Sequence, residues 1–141
     1  MSYRCLIDAN IVLRHILQDH EDDSLKADAF FEQLENGGVE GEILEPVVLE
    51  IVFTLERSYK MPRAQIQALL KRIFANSGVV FAGEEEFEEV FALYVREPSL
   101  SLVDCYIAVI AIASGISNVA SFDKKIARVP GVNRFDPPAR L

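Results

Sequence analysis

Four acidic residues, Asp8, Glu50, Asp104 and Asp123, each stand beside a run of apolar residues. Asp8 separates the apolar residues 5–7 from those that follow Asn10, and burying a carboxylate without a partner is costly. Carboxylates within a few ångströms of one another repel, and the usual relief is a raised pKa or a bound cation. Carboxylate oxygens, with water in the remaining positions, suit Mg²⁺ or Mn²⁺ rather than zinc. If the four acids meet, their chemistry predicts a magnesium or manganese site.

The hydrophobic pattern predicts the elements that position these acids. Strands are expected over residues 3–7, 42–45, 78–81, 118–121 and 133–135. Helices are expected over residues 11–17, 22–36, 46–58, from 62 onwards, 84–95 and 101–114, with a short helical turn at 124–127. The first strand is expected to be buried. The helix that ends at Gly115 is hydrophobic almost all round, so it should be buried on nearly every side.

Short apolar strands that alternate with helices predict an α/β domain whose parallel sheet is covered on both faces. Ligands of such sheets bind at the carboxyl ends of the strands. Asp8 and Asp123 follow predicted strands, whereas Glu50 and Asp104 lie near the amino ends of predicted helices. All four acids can therefore converge on one edge of the sheet.

Each acid also has a local explanation. Asp8 can accept amide hydrogen bonds from its own turn, and Asn10 can cap the first helix. Asp123 can cap the short helix after it. Asp104 can complete a capping box with Ser101. Glu50 can belong to a polar stripe on a solvated helix face. None of these roles explains why all four acids fall at the same predicted edge.

The composition narrows the class of protein. With 141 residues, half of them hydrophobic, the chain is expected to form one globular domain over residues 1–141. A net charge of −8 argues against a general nucleic-acid coating protein. No apolar run spans a bilayer and no signal peptide is visible, so a cytoplasmic location is expected. Cys5 and Cys105 are interpreted as small buried hydrophobic residues rather than a disulfide.

Four segments carry a family resemblance: LIDANIVLRHIL, LEPVVLEIVFTLER, SLVDCYIAVIAI and NVASFDKKIARVPGV, in this order. With them the chain resembles PIN-domain proteins, and more narrowly the VapC toxin ribonucleases of toxin–antitoxin pairs. The resemblance implies a three-layer α/β/α sandwich with a central parallel sheet of about four or five strands. It implies a Mg²⁺-dependent endoribonuclease, with Mn²⁺ as a possible substitute, that cleaves RNA with metal-activated water. It also implies a homodimer and a VapB-like antitoxin partner.

The resemblance extends to single positions. The four acids match the family's catalytic set, and three of them are expected to be metal ligands: Asp8, Asp104 and Asp123. Asn10 matches an amide that steadies the first motif, and Ser121 matches a hydroxyl that can orient a carboxylate or a water. The residues expected to contact RNA phosphates are Arg14, Arg57, Lys124 and Lys125, with Lys60 and Arg128 as further candidates.

Other functions remain open at this point. A PIN module that acts as an RNA-binding scaffold without cleaving has the same sequence features. A dehalogenase-type phosphatase needs an acid where Asn10 stands, and a receiver-like phospho-acceptor domain needs a late lysine that Lys124 matches poorly. His15 and His20 are the only histidines, and they can be considered an acid–base pair of a metal-free nuclease.

Overall fold

The computed structural model describes residues 3–138, which fall into two compact units with the boundary between Glu84 and Glu85. The elements of the first unit are β1 (Tyr3–Leu6), α1 (Ala9–Leu17), α2 (Glu21–Asn36), β2 (Val39–Glu42), α3 (Glu45–Arg57), α4 (Arg63–Ala75) and β3 (Val79–Val80). The three strands form a parallel sheet in the order β1-β2-β3. Tyr3 pairs with Val39, and Gly41 pairs with Val79.

Local sequence explains where the helices of the first unit begin and end. Pro46 lies in the first turn of α3, where its missing amide costs nothing. Gly37 ends α2 with a φ of 92°, a backbone conformation that L side chains rarely adopt. The apolar faces of the helices then form the core of this unit, whose most deeply buried members include Val12, Leu34, Val48, Ile51, Leu55, Ile66 and Leu70.

The second unit contains α5 (Glu84–Arg96), α6 (Leu102–Ala113), β4 (Asn118–Ala120), a short 3₁₀ helix (Lys124–Arg128) and β5 (Asn133–Phe135). β4 and β5 form a parallel pair, with Asn118 opposite Asn133. α6 packs against β4 and the 3₁₀ helix. Phe87, Tyr94 and Cys105 are among its fully buried side chains.

The α/β class with parallel strands is confirmed, and the five strands are divided into sheets of three and two. The strand expected at residues 42–45 is wrong, because β2 occupies Val39–Glu42 and α3 already begins at Glu45. The burial expected for β1 is also wrong, since Tyr3 and Leu6 are 71% and 65% exposed. β1 pairs with β2 alone among the described strands, so it is an edge strand of its sheet.

The helix α6 is buried on one face rather than on nearly every side. Its inner face carries Cys105 and Ala108, whereas Val103 and Ile112 are about half exposed. Cys5 and Cys105 are both free thiols, as expected, although Cys5 is only half-buried. Across residues 3–138, none of the helices is long and apolar enough to cross a membrane.

Candidate active site

Asp8 lies two residues beyond β1 and directly before α1, in an extended conformation with φ of −77° and ψ of 152°. Its exposed carboxylate makes no capping hydrogen bond to α1, and Asn10 lies inside the helix. The local explanations for both residues are therefore wrong, because the Asp8 carboxylate accepts no hydrogen bond at the start of α1 and Asn10 does not precede the helix. This carboxylate is left available at the carboxyl end of β1.

Glu50 lies in the second turn of α3 with its side chain exposed to solvent. α1 and α3 follow neighbouring parallel strands and pack against each other. Both helices therefore start from the same edge of the three-stranded sheet, as expected for a parallel α/β arrangement. The first unit thus places Asp8 and Glu50 at one sheet edge.

Asp104 forms the capping box that its spacing from Ser101 predicts. The Ser101 hydroxyl accepts a hydrogen bond of 3.1 Å from the Asp104 amide. One carboxylate oxygen of Asp104, Oδ2, accepts a hydrogen bond of 3.4 Å from the Ser101 amide. The capping role of Asp104 is confirmed, and its second oxygen, Oδ1, takes no part in the capping box.

Asp123 caps the 3₁₀ helix that follows it, because its Oδ1 accepts a hydrogen bond of 2.9 Å from the Lys125 amide. The amide of Asp123 in turn donates to the Ser121 hydroxyl at 3.1 Å. Ser121 therefore holds the backbone that carries Asp123. Since the cap uses only one carboxylate oxygen, Asp123 keeps Oδ2 for another ligand.

Arg134 is a positioning residue that sequence reasoning missed. Its Nη1 donates to the Ser121 carbonyl at 2.6 Å and to the Asp136 carboxylate at 2.7 Å, and its side chain is only 14% exposed. The hydrogen bond from Arg134 is the main cause that lowers the pKa of Asp136. In the sequence, the only indication of this role is that Arg134 is a charged residue between two neutral residues of a predicted strand.

The connection from α6 to β4 is short, and the two elements pack against each other, so they run in opposite directions. The amino end of α6 therefore lies near the carboxyl end of β4. A hydrogen bond of 2.9 Å from Arg128 Nη1 to the Ser99 hydroxyl joins the end of the 3₁₀ helix to the segment before α6. In the second unit, Asp123 follows the carboxyl end of β4, and Asp104 lies at the amino end of α6, just after the segment that accepts the Arg128 hydrogen bond.

Two of the expected phosphate contacts have partners within the first unit. Arg14 Nη1 donates to Asp19 Oδ1 at 3.1 Å, and the hydroxyl of Tyr59 donates to Asp19 Oδ2 at 2.9 Å. The Tyr59 hydrogen bond is the main cause that lowers the pKa of Asp19, and Arg14 adds to it. The guanidinium of Arg57 stands 5.1 Å from the centre of the Phe53 ring.

In the second unit, Lys124 and Lys125 are both exposed. The histidines have separate carboxylate partners. His15 Nδ1 lies 2.6 Å from Asp28, while the His15 ring stacks on a neighbouring phenylalanine. His20 Nδ1 lies 3.5 Å from Asp23. The structure therefore gives no support to an acid–base pair made of the two histidines.

The donor set suits a hard divalent cation. Asp8 is uncapped, and Asp104 and Asp123 each use one carboxylate oxygen in their caps, so all three retain oxygen donors. Among residues 3–138, no three histidine, cysteine, aspartate or glutamate side chains are grouped so as to hold a metal ion. The oxygen-only chemistry of these acids fits Mg²⁺ or Mn²⁺ rather than zinc.

Comparison with known proteins gives the family of this chain. The family model described as PIN domain matches residues 5–132. The protein named VapC ribonuclease from Aquifex aeolicus (strain VF5) is 27% identical over 124 residues, which cover 88% of this chain and 90% of that protein. The crystal structure of VapBC2 from Rickettsia felis bound to a DNA fragment from their promoter aligns with 94% of this chain and 98% of that chain, at 14% identity and a TM-score of 0.37. Because the family match covers most of its length, the chain belongs to the PIN domain family.

Proposed function

We propose that this protein is a Mg²⁺-dependent endoribonuclease of the VapC type. The observation that carries this proposal is the family match over residues 5–132, which includes all four acids. The relative named VapC ribonuclease supports RNA as the substrate. The match spans both compact units, which supports a single functional domain over residues 1–141.

In this proposal Asp8, Glu50, Asp104 and Asp123 are the catalytic residues. Asp8, Asp104 and Asp123 hold the cation, which is Mg²⁺ or alternatively Mn²⁺. When bound, the cation supplies the Lewis acidity that polarises a phosphate and makes water more acidic. Glu50 is exposed at the start of α3, where its carboxylate can accept the proton of the attacking water.

Two polar residues support the acids. Asn10 lies one helical position after Ala9, at the start of α1, and steadies the segment that carries Asp8. The Ser121 hydroxyl accepts the Asp123 amide hydrogen bond, and this contact orients the Asp123 carboxylate. Ser121 acts through Asp123 rather than on the RNA, and Asn10 acts beside Asp8 at the start of α1.

Four cations are proposed to contact RNA phosphates: Arg14, Arg57, Lys124 and Lys125. Such local contacts reconcile a polyanionic substrate with a net charge of −8. Arg14 keeps most of its five N–H donors, since only Nη1 bonds Asp19. Lys124 and Lys125 directly follow Asp123, so their charge lies next to a proposed metal ligand.

The decisive experiment measures RNA cleavage with and without Mg²⁺ for the natural protein and for Asp8→Asn. We expect cleavage only with the metal and a loss of several orders of magnitude in the variant. Glu32→Gln is the matched control, because Glu32 is an exposed acid on α2 outside the proposed set. RNA binding without any metal-dependent cleavage would show a scaffold module and overturn the enzyme proposal.

The assembly follows from the same family membership. We propose a homodimer in the cytoplasm, inhibited by a VapB-like antitoxin encoded beside it. A groove that contains carboxylates attracts a basic peptide as well as a cation, so a basic antitoxin tail is the expected inhibitor.

A further inference from the structure

A groove of about 290 Å³ lies on the first unit, and its lining comes from both α1 and α2. The lining consists of Asn10, Ile11 and Arg14 from α1 and Asp23, Lys26, Ala27 and Phe30 from α2. The two helices pack against each other along this surface. None of the functions proposed above uses Lys26, Phe30 or Asp23.

The groove combines three kinds of group that bind nucleotides. Arg14 and Lys26 are cations, and Asn10 is an amide that can donate and accept hydrogen bonds. Phe30 is half-buried and meets Phe31 edge-on at 5.8 Å between ring centres, which leaves an aromatic surface in the groove lining. Cations beside an aromatic ring are the usual means of binding unpaired nucleotides, through phosphate contacts and base stacking.

Arg14 is held in place before any ligand arrives. Asp19 accepts hydrogen bonds from both Arg14 and Tyr59, so it joins the carboxyl end of α1 to the segment after α3. The Met61 amide closes that segment with a hydrogen bond of 3.1 Å to the Leu55 carbonyl. A side chain that is already ordered loses less conformational entropy when it binds a ligand.

The groove begins close to a proposed catalytic acid. Asn10 is two residues beyond Asp8, and Arg14 lies roughly 6 Å further along α1, at 1.5 Å per residue. A chain that passes Asp8 at the sheet edge can therefore continue along α1 into the groove.

We propose that the α1–α2 groove binds one unpaired nucleotide next to the phosphate that is cut, with its base on Phe30 and its phosphates on Arg14 and Lys26. This inference rests on the proposed ribonuclease function and names a substrate subsite for it. Asp19 is a positioning residue in this scheme, because it acts through Arg14. Arg14 and Lys26 outnumber the one acid of the lining, Asp23, so the net positive charge favours a phosphate-bearing nucleotide over a basic or a purely apolar peptide as the occupant.

The test measures how tightly the full chain with Asp8→Asn binds a 5′-fluorescein-labelled single-stranded RNA dodecamer, by fluorescence anisotropy in EDTA. Adding Phe30→Leu should raise Kd about fivefold or more, the lower end of the effect of one base stacked on an aromatic side chain. Phe30→Tyr keeps the aromatic face and should restore the parent Kd. The same RNA annealed to its complement should bind equally to all three proteins, because its bases are not free to stack.

Salt dependence separates the role of Lys26 from that of Phe30. Lys26→Gln should reduce the slope of log K against log salt by about 0.7, the value for one phosphate contact on a single strand. Phe30→Leu should leave the slope unchanged. Lys71→Gln, at an exposed lysine of α4, is the matched control and should change neither Kd nor slope.

The inference would be overturned if both Phe30→Leu and Lys26→Gln bound the single-stranded RNA as tightly as the parent. It would also be overturned if Phe30→Leu lost as much affinity for the duplex as for the single strand. If the same variants instead lost a co-expressed protein partner, the groove would be a protein-binding surface and the nucleotide subsite would be wrong. Cleavage by the natural protein is scored separately. If the natural protein cleaves RNA but the Phe30 and Lys26 variants bind RNA like the parent, only the subsite is rejected. If RNA binding depends on Phe30 but the natural protein cleaves no RNA, only the nuclease proposal is rejected.

Discussion

The guanidinium of Arg134 donates a hydrogen bond of 2.6 Å to the carbonyl oxygen of Ser121, and this bond ties β5 to the turn that carries Asp123. Arg134→Met should lower the free energy of unfolding by about 1.5–3 kcal/mol, the range for hydrogen bonds to charged groups. Urea denaturation measures this loss. Asp136→Asn keeps the bond to Ser121 and is the control, for which a smaller loss is expected. If Arg134→Met and Asp136→Asn lowered the free energy of unfolding equally, the stabilisation would come from the exposed Arg134–Asp136 ion pair rather than from the bond to Ser121.

Asp8 has a free carboxylate and Asp104 has a capping carboxylate, so the variants Asp8→Asn and Asp104→Asn should differ in stability. Both should abolish Mg²⁺-dependent cleavage. Asp8→Asn should leave the metal-free protein as stable as before or more stable, because the Asp8 side chain makes no cap and carboxylate repulsion is relieved. Asp104→Asn should cost up to about 1 kcal/mol, because Asp104 is part of a capping box. Metal-free melting curves paired with cleavage rates test this pair, and destabilised but fully active variants would reject the site.

Mg²⁺ should stabilise the folded protein, because the unfolded chain does not assemble its acids. At a hundredfold excess over the dissociation constant, the gain should be about 2.7 kcal/mol. Thermal melting with increasing Mg²⁺ measures it, and Asp8→Asn should show a much smaller rise. A melting temperature that does not change when Mg²⁺ is added, together with calorimetry that detects no binding, would count against the site.

The contact between Asp19 and Tyr59 should make stability depend on pH at two extremes. Chiefly through the Tyr59 hydrogen bond, the pKa of Asp19 lies below its ordinary value of 3.8, so this stabilisation is present above pH 3.8 and is lost as pH falls through the lowered pKa. The bond to Asp19 is also the main cause that raises the pKa of Tyr59 above 10.0. That stabilisation is present below pH 10.0 and is lost as pH rises through the raised pKa.

The measurement is the stability difference between the natural protein and Tyr59→Phe in urea, at neutral pH and beyond both limits. The difference should be largest at neutral pH and should shrink at both extremes. If the stability difference did not change with pH, the Tyr59 hydroxyl would stabilise the protein in a way that does not depend on the ionised Asp19 carboxylate. Asp19→Asn should remove the acid-side dependence and weaken the alkaline-side dependence, because the raised pKa of Tyr59 also depends on Asp19.

Co-expression with the small protein encoded in the adjacent reading frame should give a stable complex without ribonuclease activity. The basic tail of that partner would lie against the four acids of the proposed site and mask the place of the cation. Removing the tail should restore cleavage while the rest of the partner stays bound. A complex that cuts RNA as fast as the free protein would refute this mode of inhibition.

Features that depend on neighbours a few residues away were predictable from the sequence. Pro46 in the first turn of α3, the Ser101–Asp104 capping box and the Asp123 cap all join groups at most three residues apart. The span of β5, residues 133–135, was predicted without error. Such contacts need only the local backbone and the side chain beside it, so their residue types identify them. The acid-and-amide pattern around Asp8 likewise indicated the family that the comparison then showed.

Contacts between distant parts of the chain were decided only by the tertiary structure. β2 lies at Val39–Glu42 because this segment pairs with β1 on one side and with β3 on the other. Gly41 weakened the local strand signal, yet a Cβ there would stand 2.5 Å from Ile7 Cδ1, so packing favours glycine.

The bonds from Tyr59 to Asp19 and from Arg134 to Ser121 span 40 and 13 residues. The sequence alone determined which residue types were available for caps, strands and a cation site. Which polar side chain is held by which partner depended on folding, because loops and strand ends meet only after the helices have packed, and no local pattern encodes that distance.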